Sequence, residues 1–197
     1  MSISADIVKQ LRERSGAGMM DCKKALVEAG GDMERAMTIL REKGISKAAT
    51  KAGRATKEGV IGCYVHPGDK LAVLVEINCE TDFVARTDQY KELAKNLAMH
   101  VAAANPLVVR REELSQEQIV AEREIYRTQA LNEGKPEKIV DRIVDGKVDK
   151  YYAEVCLMEQ AYVKDPDKTI NDLINEMIGK IGENMSIRRF VRFRLGE

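Results

Sequence analysis

The stretch LAVLVEINCETDFVARTDQYKELAKNLAMHVAAA (residues 71–104) changes its hydrophobic period partway along. From Leu71 to Cys79 every second residue is apolar, which predicts a strand with one face towards a core. From about Asp88 the apolar residues recur at i, i+3 and i+4, which predicts an amphipathic helix that ends at Asn105-Pro106. This helix should cover the apolar face of the strand with Tyr90, Leu93, Ala94, Leu97, Ala98, Val101 and Ala102.

A short antiparallel sheet is predicted around this strand. Residues 60–66 alternate in the same way, and a turn at residues 67–70 joins them to Leu71, which predicts a β-hairpin. A closing strand is predicted over residues 187–195, after a helix that starts at Thr169 and ends at Gly182. The fold class is therefore α+β, with an N-terminal helical module followed by a short antiparallel β-sheet covered by helices.

The first 44 residues predict three short helices. Ser4 and Asp32 are suited to cap the first and the third helix through their side chains. Gly16-Ala17-Gly18 and Gly30-Gly31 are expected to end the first two helices, and Gly44 to close the third in a left-handed conformation. The predicted domain over residues 1–44 is thus a small three-helix bundle.

The rest of the chain is expected to divide in two. Residues 45–58 carry Lys47, Lys51, Arg54 and Lys57 at helical spacing among alanines, which predicts a solvated, basic linker helix. Residues 59–197 are expected to form the α+β core.

Composition limits the classes of protein that this chain can represent. Thirty-two basic residues balance thirty-two acidic ones, so bulk charge predicts neither nucleic acid nor a membrane surface as the main partner. The four cysteines are far apart and predict buried free thiols: Cys22, Cys63, Cys79 and Cys156. With no signal peptide and no membrane-spanning apolar run in the sequence, the protein is expected to be cytoplasmic.

Motifs for catalysis are missing from the sequence. The two histidines, His66 and His100, lack metal-binding spacing and are interpreted as structural or surface residues. The glycines predict no phosphate-binding loop, and no serine or cysteine stands in a nucleophile motif. We therefore expect no enzyme activity, no cofactor and no metal site.

The short connection after the predicted strand is unusual because it contains an aromatic residue. Thr81, Asp82, Phe83 and Val84 lie between the strand and the following helix, where polar residues are common. One interpretation is that Phe83 folds back to seal the sheet against the helix. The other is that Phe83, beside an acid on a strand-to-helix corner, is an anchor offered to a partner.

Three segments resemble the translation elongation factor Ts family. They are NCETDFVAR (residues 78–86), LRERSGAGMMDCKKAL (residues 11–26), and IGEN (residues 181–184) leading into RRF (residues 188–190). These segments occur in the family's order, and the resemblance extends from residue 3 to residue 196. It favours the anchor interpretation of Phe83.

The resemblance implies a guanine-nucleotide exchange factor for the GTPase elongation factor Tu, in both its GDP-bound and its nucleotide-free states. In that family the T-D-F-V corner enters between two partner helices beside the Mg²⁺ and phosphate site. By position, Asp82 and Phe83 would be the intruding pair, while Thr81 and Val84 shape the corner. The N-terminal module would be ubiquitin-associated-like and would dock on the partner through Arg12, Met19 and Met20.

The length of the chain adds an expectation about assembly. Longer family members carry two related core subdomains, whereas this chain has room for one. The resemblance therefore implies the short form, which associates as a homodimer. The final strand and its neighbouring helix are the candidate interface, so residues 59–197 would form both the core and the dimerisation domain.

Three other functions remain open from the residues alone. One is a protein-interaction module of other partner specificity, and another is an unrecognised enzyme, which would need a pocket with converging polar groups. The third is an RNA-binding factor that uses the basic side chains Lys47, Lys51, Arg54, Arg188, Arg189, Arg192 and Arg194.

Overall fold

The computed structural model describes residues 3–197, apart from the side chain of Lys47. The helices are α1 (Ala5–Ser15), α2 (Met19–Glu28), α3 (Met33–Lys51), α4 (Asp82–Ala85), α5 (Asp88–Ala104), α6 (Gln116–Asn132), α7 (Glu137–Val155) and α8 (Ile170–Ile181). The strands are β1 (Glu58–Val65), β2 (Leu71–Cys79), β3 (Ala161–Tyr162), β4 (Asp165–Thr169) and β5 (Met185–Arg194). Two short 3₁₀ helices cover Arg111–Glu113 and Leu157–Glu159.

The sheet confirms the α+β fold class. The three-stranded sheet has the order β1-β2-β5, so the hairpin and the closing strand predicted from the sequence are both present. On β2 the predicted face is the inner one, since Val73, Val75, Ile77 and Cys79 are buried. A second, antiparallel pair of short strands, β3 and β4, was not predicted.

The chain forms two compact units. One contains the described residues up to Val60 together with Ile77–Lys91 and Asp172–Ser186. The other contains Ile61–Glu76, Glu92–Asn171 and Ile187–Glu197. The division predicted from the sequence, at residues 44 and 58, stays a prediction.

The N-terminal helices of the first unit form as their caps predict. The Ser4 side chain accepts a hydrogen bond from the Ile7 amide, and the Asp32 carboxylate accepts one from Arg35. Gly16 ends α1 with a φ of 65°, the left-handed conformation that glycine adopts without strain. The three helices enclose an apolar core that contains Val8, Leu11, Cys22, Ala25, Leu26, Ala29, Ala36 and Ile39.

The predicted end of the third helix at Gly44 is wrong. Helix α3 continues through Gly44 to Lys51, so most of the expected separate linker helix belongs to it. The close approach at this point depends on the facing helix: a Cβ atom on Gly179 of α8 would lie 3.0 Å from the Gly44 Cα, whereas a Cβ atom on Gly44 itself would meet no atom of the described residues within 4 Å. The backbones of two helices therefore approach closely here, which only small residues permit.

The second unit packs a helix onto the hairpin through another glycine. A Cβ atom on Gly62 of β1 would lie 2.4 Å from the Ala94 carbonyl oxygen of α5, so a larger residue would push the helix away. Helices α6 and α7 of the same unit pack around Ala130, Val140, Val144 and Val148. The expectation of buried thiols is wrong for one cysteine, because Cys63 lies on β1 among exposed residues, whereas the other three are buried.

Candidate partner-binding corner

Residues 81–84, which we call the corner, form the start of a single helical turn at the end of β2. The Thr81 side chain caps this turn by accepting a hydrogen bond from the Val84 amide at 3.5 Å. Ala85 is buried and fixes the inner side of α4. The sequence predicted a short connection here, and the structure folds most of it into a helix.

Phe83 points away from the core. Its exposed fraction is 79%, higher than that of any other large apolar side chain among the described residues. The interpretation in which Phe83 seals the sheet against the helix is therefore wrong. Val84 beside it is half-buried and Ala85 is buried, so the corner exposes one aromatic ring on a backbone that packs against the core.

An ion pair runs along the outer side of the corner. Asp82 lies 2.7 Å from the Arg86 guanidinium, one helical turn further on. Both side chains are substantially exposed, so solvent screens the pair and a partner's charges can compete for either member.

Two acidic residues tie the corner to the segment that follows α8. The Thr81 amide and hydroxyl both donate to the carboxylate of Glu183, at 3.0 and 2.6 Å. The Glu80 carboxylate accepts a hydrogen bond from the Asn184 amide at 2.6 Å. This hydrogen bond, together with the nearby Arg54, holds the pKa of Glu80 below its usual range.

The predicted docking residues lie around the connection between α1 and α2. Met19 and Met20 open α2 and are both exposed, Met20 by 64%, so neither fills the core of the three-helix bundle. Arg12 lies in the last turn of α1 and is also exposed. Val27, in the last turn of α2, is a further exposed apolar residue of this helix that the sequence did not single out.

The basic residues of the RNA-binding interpretation are engaged with acids or carbonyls. The Lys51 ammonium donates to the Gly182 carbonyl. Arg54 pairs with Glu80, Arg188 and Arg189 with Glu76, and Arg192 and Arg194 with Glu197. The side chain of Lys47 lies outside the described residues. Because their charges are largely matched, these residues do not favour a nucleic-acid interface.

The two histidines have structural environments. His100 is buried, its Nε2 atom lies 2.9 Å from the Gln160 side-chain oxygen, and its Nδ1 atom accepts from the Val163 amide at 3.3 Å. His66 is exposed and lies 3.0 Å from the Tyr64 hydroxyl. Across residues 3–197, no three His, Cys, Asp or Glu side chains are grouped as a metal site would require. None of the helices in that range combines the length and apolar character needed to span a bilayer.

Sequence reasoning missed the residues that support the corner. Arg86 lies in a segment that resembles the family, and its spacing of four from Asp82 in a helix is the signal that could have indicated the ion pair. Glu183 and Asn184 lie in another segment that resembles the family. Their contacts with Thr81 and Glu80 span about one hundred residues, and no local pattern reports such pairing.

Comparison with known proteins identifies the family. A family model described as Elongation factor TS matches residues 4–197. The chain is similar to elongation factor Ts of Thermoanaerobacter sp. (strain X514), with 60% identity over 195 residues, covering 99% of this chain and 96% of that protein. It is 61% identical over 195 residues to elongation factor Ts of Desulforamulus reducens, covering 99% of this chain and 90% of that protein. It is 57% identical over 197 residues to that of Geobacter sulfurreducens, covering 100% of this chain and 91% of that protein. The chain belongs to the elongation factor Ts family.

Proposed function

We propose that this protein is a guanine-nucleotide exchange factor for elongation factor Tu and acts in translation elongation in the cytoplasm. It binds the GDP-bound GTPase, displaces Mg²⁺ with the corner and promotes GDP release so that GTP can bind. The observation that carries this proposal is the exposed Phe83 on a supported helical turn beside Asp82, in a chain of this family.

The exposed ring supplies the driving force for insertion. A phenylalanine side chain in water loses free energy when it enters an apolar gap, by about 1.5–3 kcal/mol. That free energy can hold apart two partner helices that would otherwise close. Because α4 is capped by Thr81 and anchored by Ala85, little conformational entropy is lost when Phe83 inserts.

Displacement of the partner's Mg²⁺ follows from the strict geometry of that ion. Mg²⁺ requires nearly octahedral oxygen ligands, so a small shift of those ligands weakens its binding. Without Mg²⁺ the diphosphate faces fewer positive charges, and GDP dissociates. Linkage makes the effect mutual, so that bound nucleotide in turn weakens the complex and releases the factor. The factor thus accelerates exchange by binding alone.

The exposed residues of α1 and α2 provide a separate docking surface. Met19 and Met20 present flexible thioether side chains, which adapt to irregular surfaces. Arg12 adds a charge next to them. Docking through these residues would bring the corner to the nucleotide site at high effective concentration.

A homodimer is proposed through the final strand and its neighbouring helix. The end of β5 and the residue after it expose large apolar side chains, notably Phe193 by 64% and Leu195 by 76%. Large exposed apolar patches are one of the features that mark protein–protein interaction sites. Sedimentation should give twice the chain mass for the wild type and a shift to monomer for Phe193→Glu. A wild-type protein that stays monomeric at micromolar concentration would contradict the dimer.

Release of labelled GDP from elongation factor Tu tests the exchange function. Micromolar wild-type protein should accelerate release, and Phe83→Ala should reduce that acceleration while its melting temperature stays unchanged. Leu131→Ala, which removes an exposed apolar side chain of α6, is the matched control and should retain full activity. If the wild-type protein does not accelerate release, the proposal is wrong.

A further inference from the structure

The loop at residues 182–184 contacts Thr81, the first residue of the corner, and Glu80, the residue before it. It follows α8 and belongs to the same compact unit as the corner. Gly182 has a φ of 87°, a left-handed conformation that turns the chain sharply after the helix. The next two residues, Glu183 and Asn184, are therefore directed at the end of β2.

Glu183 makes a two-point contact with the first residue of the corner. One carboxylate oxygen accepts the Thr81 amide at 3.0 Å, and the other accepts the Thr81 hydroxyl at 2.6 Å. Two hydrogen bonds to a charged acceptor fix both the position and the rotation of the group that they hold. The same Thr81 oxygen caps α4, so the direction of this helical turn depends on how Glu183 holds Thr81.

Glu80 and Asn184 make the reciprocal contact one residue away. The Glu80 carboxylate accepts the Asn184 amide at 2.6 Å, so each chain segment supplies one acid to the other. Asn184 is buried, and its side-chain amide donates to the Arg54 carbonyl at 2.8 Å. The loop is thus also fixed to a third segment, the residues that follow the end of α3.

The geometry points to Glu183 as a positioning residue for nucleotide exchange, which sets the angle at which α4 presents Phe83 to the partner. This inference rests on the proposed exchange function and assigns Glu183 no contact with the partner. A purely structural role would make Glu183 matter for stability alone. A positioning role makes it matter for the rate of GDP release once the complex has formed.

The first test separates docking from release. GDP release from elongation factor Tu is measured against factor concentration for the wild type and for Glu183→Gln. The glutamine oxygen can still accept from the Thr81 amide, but its NH2 group can only donate to the Thr81 hydroxyl, so the hydroxyl must reverse its role and both charge-assisted hydrogen bonds become weaker, neutral ones. We expect the maximal release rate to fall about tenfold, while the half-saturating concentration changes less than about twofold.

Glu113→Gln is the matched control. Glu113 also accepts a backbone hydrogen bond, from the Val109 amide at 2.9 Å, but it belongs to the other compact unit. This variant should retain the wild-type maximal release rate. If Glu113→Gln reduces the rate as much as Glu183→Gln does, a general loss of structure explains both results and the positioning role is wrong.

A second test approaches the same contact from Thr81 and covers the case in which Glu183→Gln does not fold. Thr81→Val loses the hydroxyl that both donates to Glu183 and caps α4, so its maximal release rate should fall at least as far as that of Glu183→Gln. The double variant Thr81→Val, Glu183→Gln should reduce the maximal release rate by a smaller factor than the product of the two single-variant factors. Full multiplicativity would show that the two residues act independently and would overturn the inference.

A third measurement needs no partner. The chain has no tryptophan, so Phe83→Trp places a single reporter on α4. Fluorescence anisotropy decay should show greater local motion of Trp in the Phe83→Trp, Glu183→Gln double variant than in Phe83→Trp alone. The positioning role is wrong if the wild type is active but Glu183→Gln changes neither the motion of the Trp nor the release rate. The exchange function would remain intact in that case. An inactive wild type would instead refute the exchange function.

Discussion

Phe83 and Tyr90 are aromatic residues seven positions apart in the same compact unit, yet they have opposite environments. Phe83 in α4 is 79% exposed, whereas Tyr90 in the first turn of α5 is 0% exposed. Burial raises the pKa of the Tyr90 hydroxyl above its usual range, and the neighbouring Cys79 raises this pKa further. One ring therefore stabilises the fold and the other remains available for a partner.

The difference shows how the short segment between β2 and α5 divides two tasks. Apolar burial at Tyr90 and Ala85 holds the segment against the core. Hydrogen bonds that the Glu183 and Glu80 carboxylates accept then fix the direction in which the remaining side chains point. Burial contributes stability without a required direction, whereas hydrogen bonds contribute direction with a smaller net stability.

Tyr90→Ala should have the largest effect. Removing a fully buried aromatic side chain leaves a cavity and should lower the free energy of unfolding by about 3–5 kcal/mol. Urea unfolding measured by circular dichroism will show this. A loss below about 1 kcal/mol would mean that Tyr90 does not support the core, and the contrast with Phe83 would disappear.

Phe83→Ala should have the converse effect. Losing insertion energy of about 1.5–3 kcal/mol should reduce the acceleration of GDP release by roughly 10- to 150-fold. The free energy of unfolding should change by less than about 0.5 kcal/mol, because the ring is exposed. Unfolding and release are measured on the same preparation, and a variant that unfolds readily would show that Phe83 belongs to the core after all.

His100 extends the comparison to a buried polar residue of α5. Burial lowers the pKa of His100, although its hydrogen bond to Gln160 opposes part of this shift. Its contribution to stability is complete above the unfolded pKa of about 6.5 and decreases as pH falls from there towards the lowered folded-state pKa. The slope from this one proton cannot exceed about 1.4 kcal/mol per pH unit.

Urea unfolding between pH 7 and pH 5 tests this dependence. His100→Gln should reduce the slope of stability against pH, whatever its effect on absolute stability. His66→Gln makes the same substitution at the exposed histidine and serves as the matched control. Equal slopes for the wild type and His100→Gln would contradict the assigned role of His100.

Met20→Ala tests the docking surface at a smaller expected effect. Truncating one exposed interface side chain should weaken the complex with elongation factor Tu by about 1 kcal/mol, or roughly fivefold in the dissociation constant. The maximal release rate should stay near the wild-type value, because the corner is unchanged. Val120→Ala, an exposed apolar position on α6, is the control. A lower maximal rate with unchanged affinity would remove Met20 from the docking surface.

The elements of this fold were predictable where local chemistry determines them. The alternation from Leu71 to Cys79 and the stripe from Tyr90 to Ala102 each describe one apolar face, and both were confirmed. Gly44 misled the prediction because the sequence does not show whether a glycine ends a helix or lets another backbone approach, as Gly179 does. The exposure of Phe83 also required the structure, since the residues alone left two environments open.

The support of the corner was not predictable for a related reason. Thr81 and Glu183 are 102 positions apart, and neither residue type is unusual for its element. Their contact exists because the sheet order β1-β2-β5 brings the start of β5 beside the end of β2. Strand order is a property of the whole chain. A hydrogen bond that depends on it therefore cannot be predicted from either local segment alone.

Arg86→Gln should have the smallest effect, and its smallness is informative. The pair with Asp82 is exposed and joins residues one helical turn apart, so its loss should change the free energy of unfolding by no more than about 0.5 kcal/mol. If the partner meets Asp82 only after this pair opens, GDP release should change by less than about twofold and should depend less on salt than in the wild type. A tenfold loss of release would instead place Arg86 with Phe83, as a side chain that contacts the partner directly.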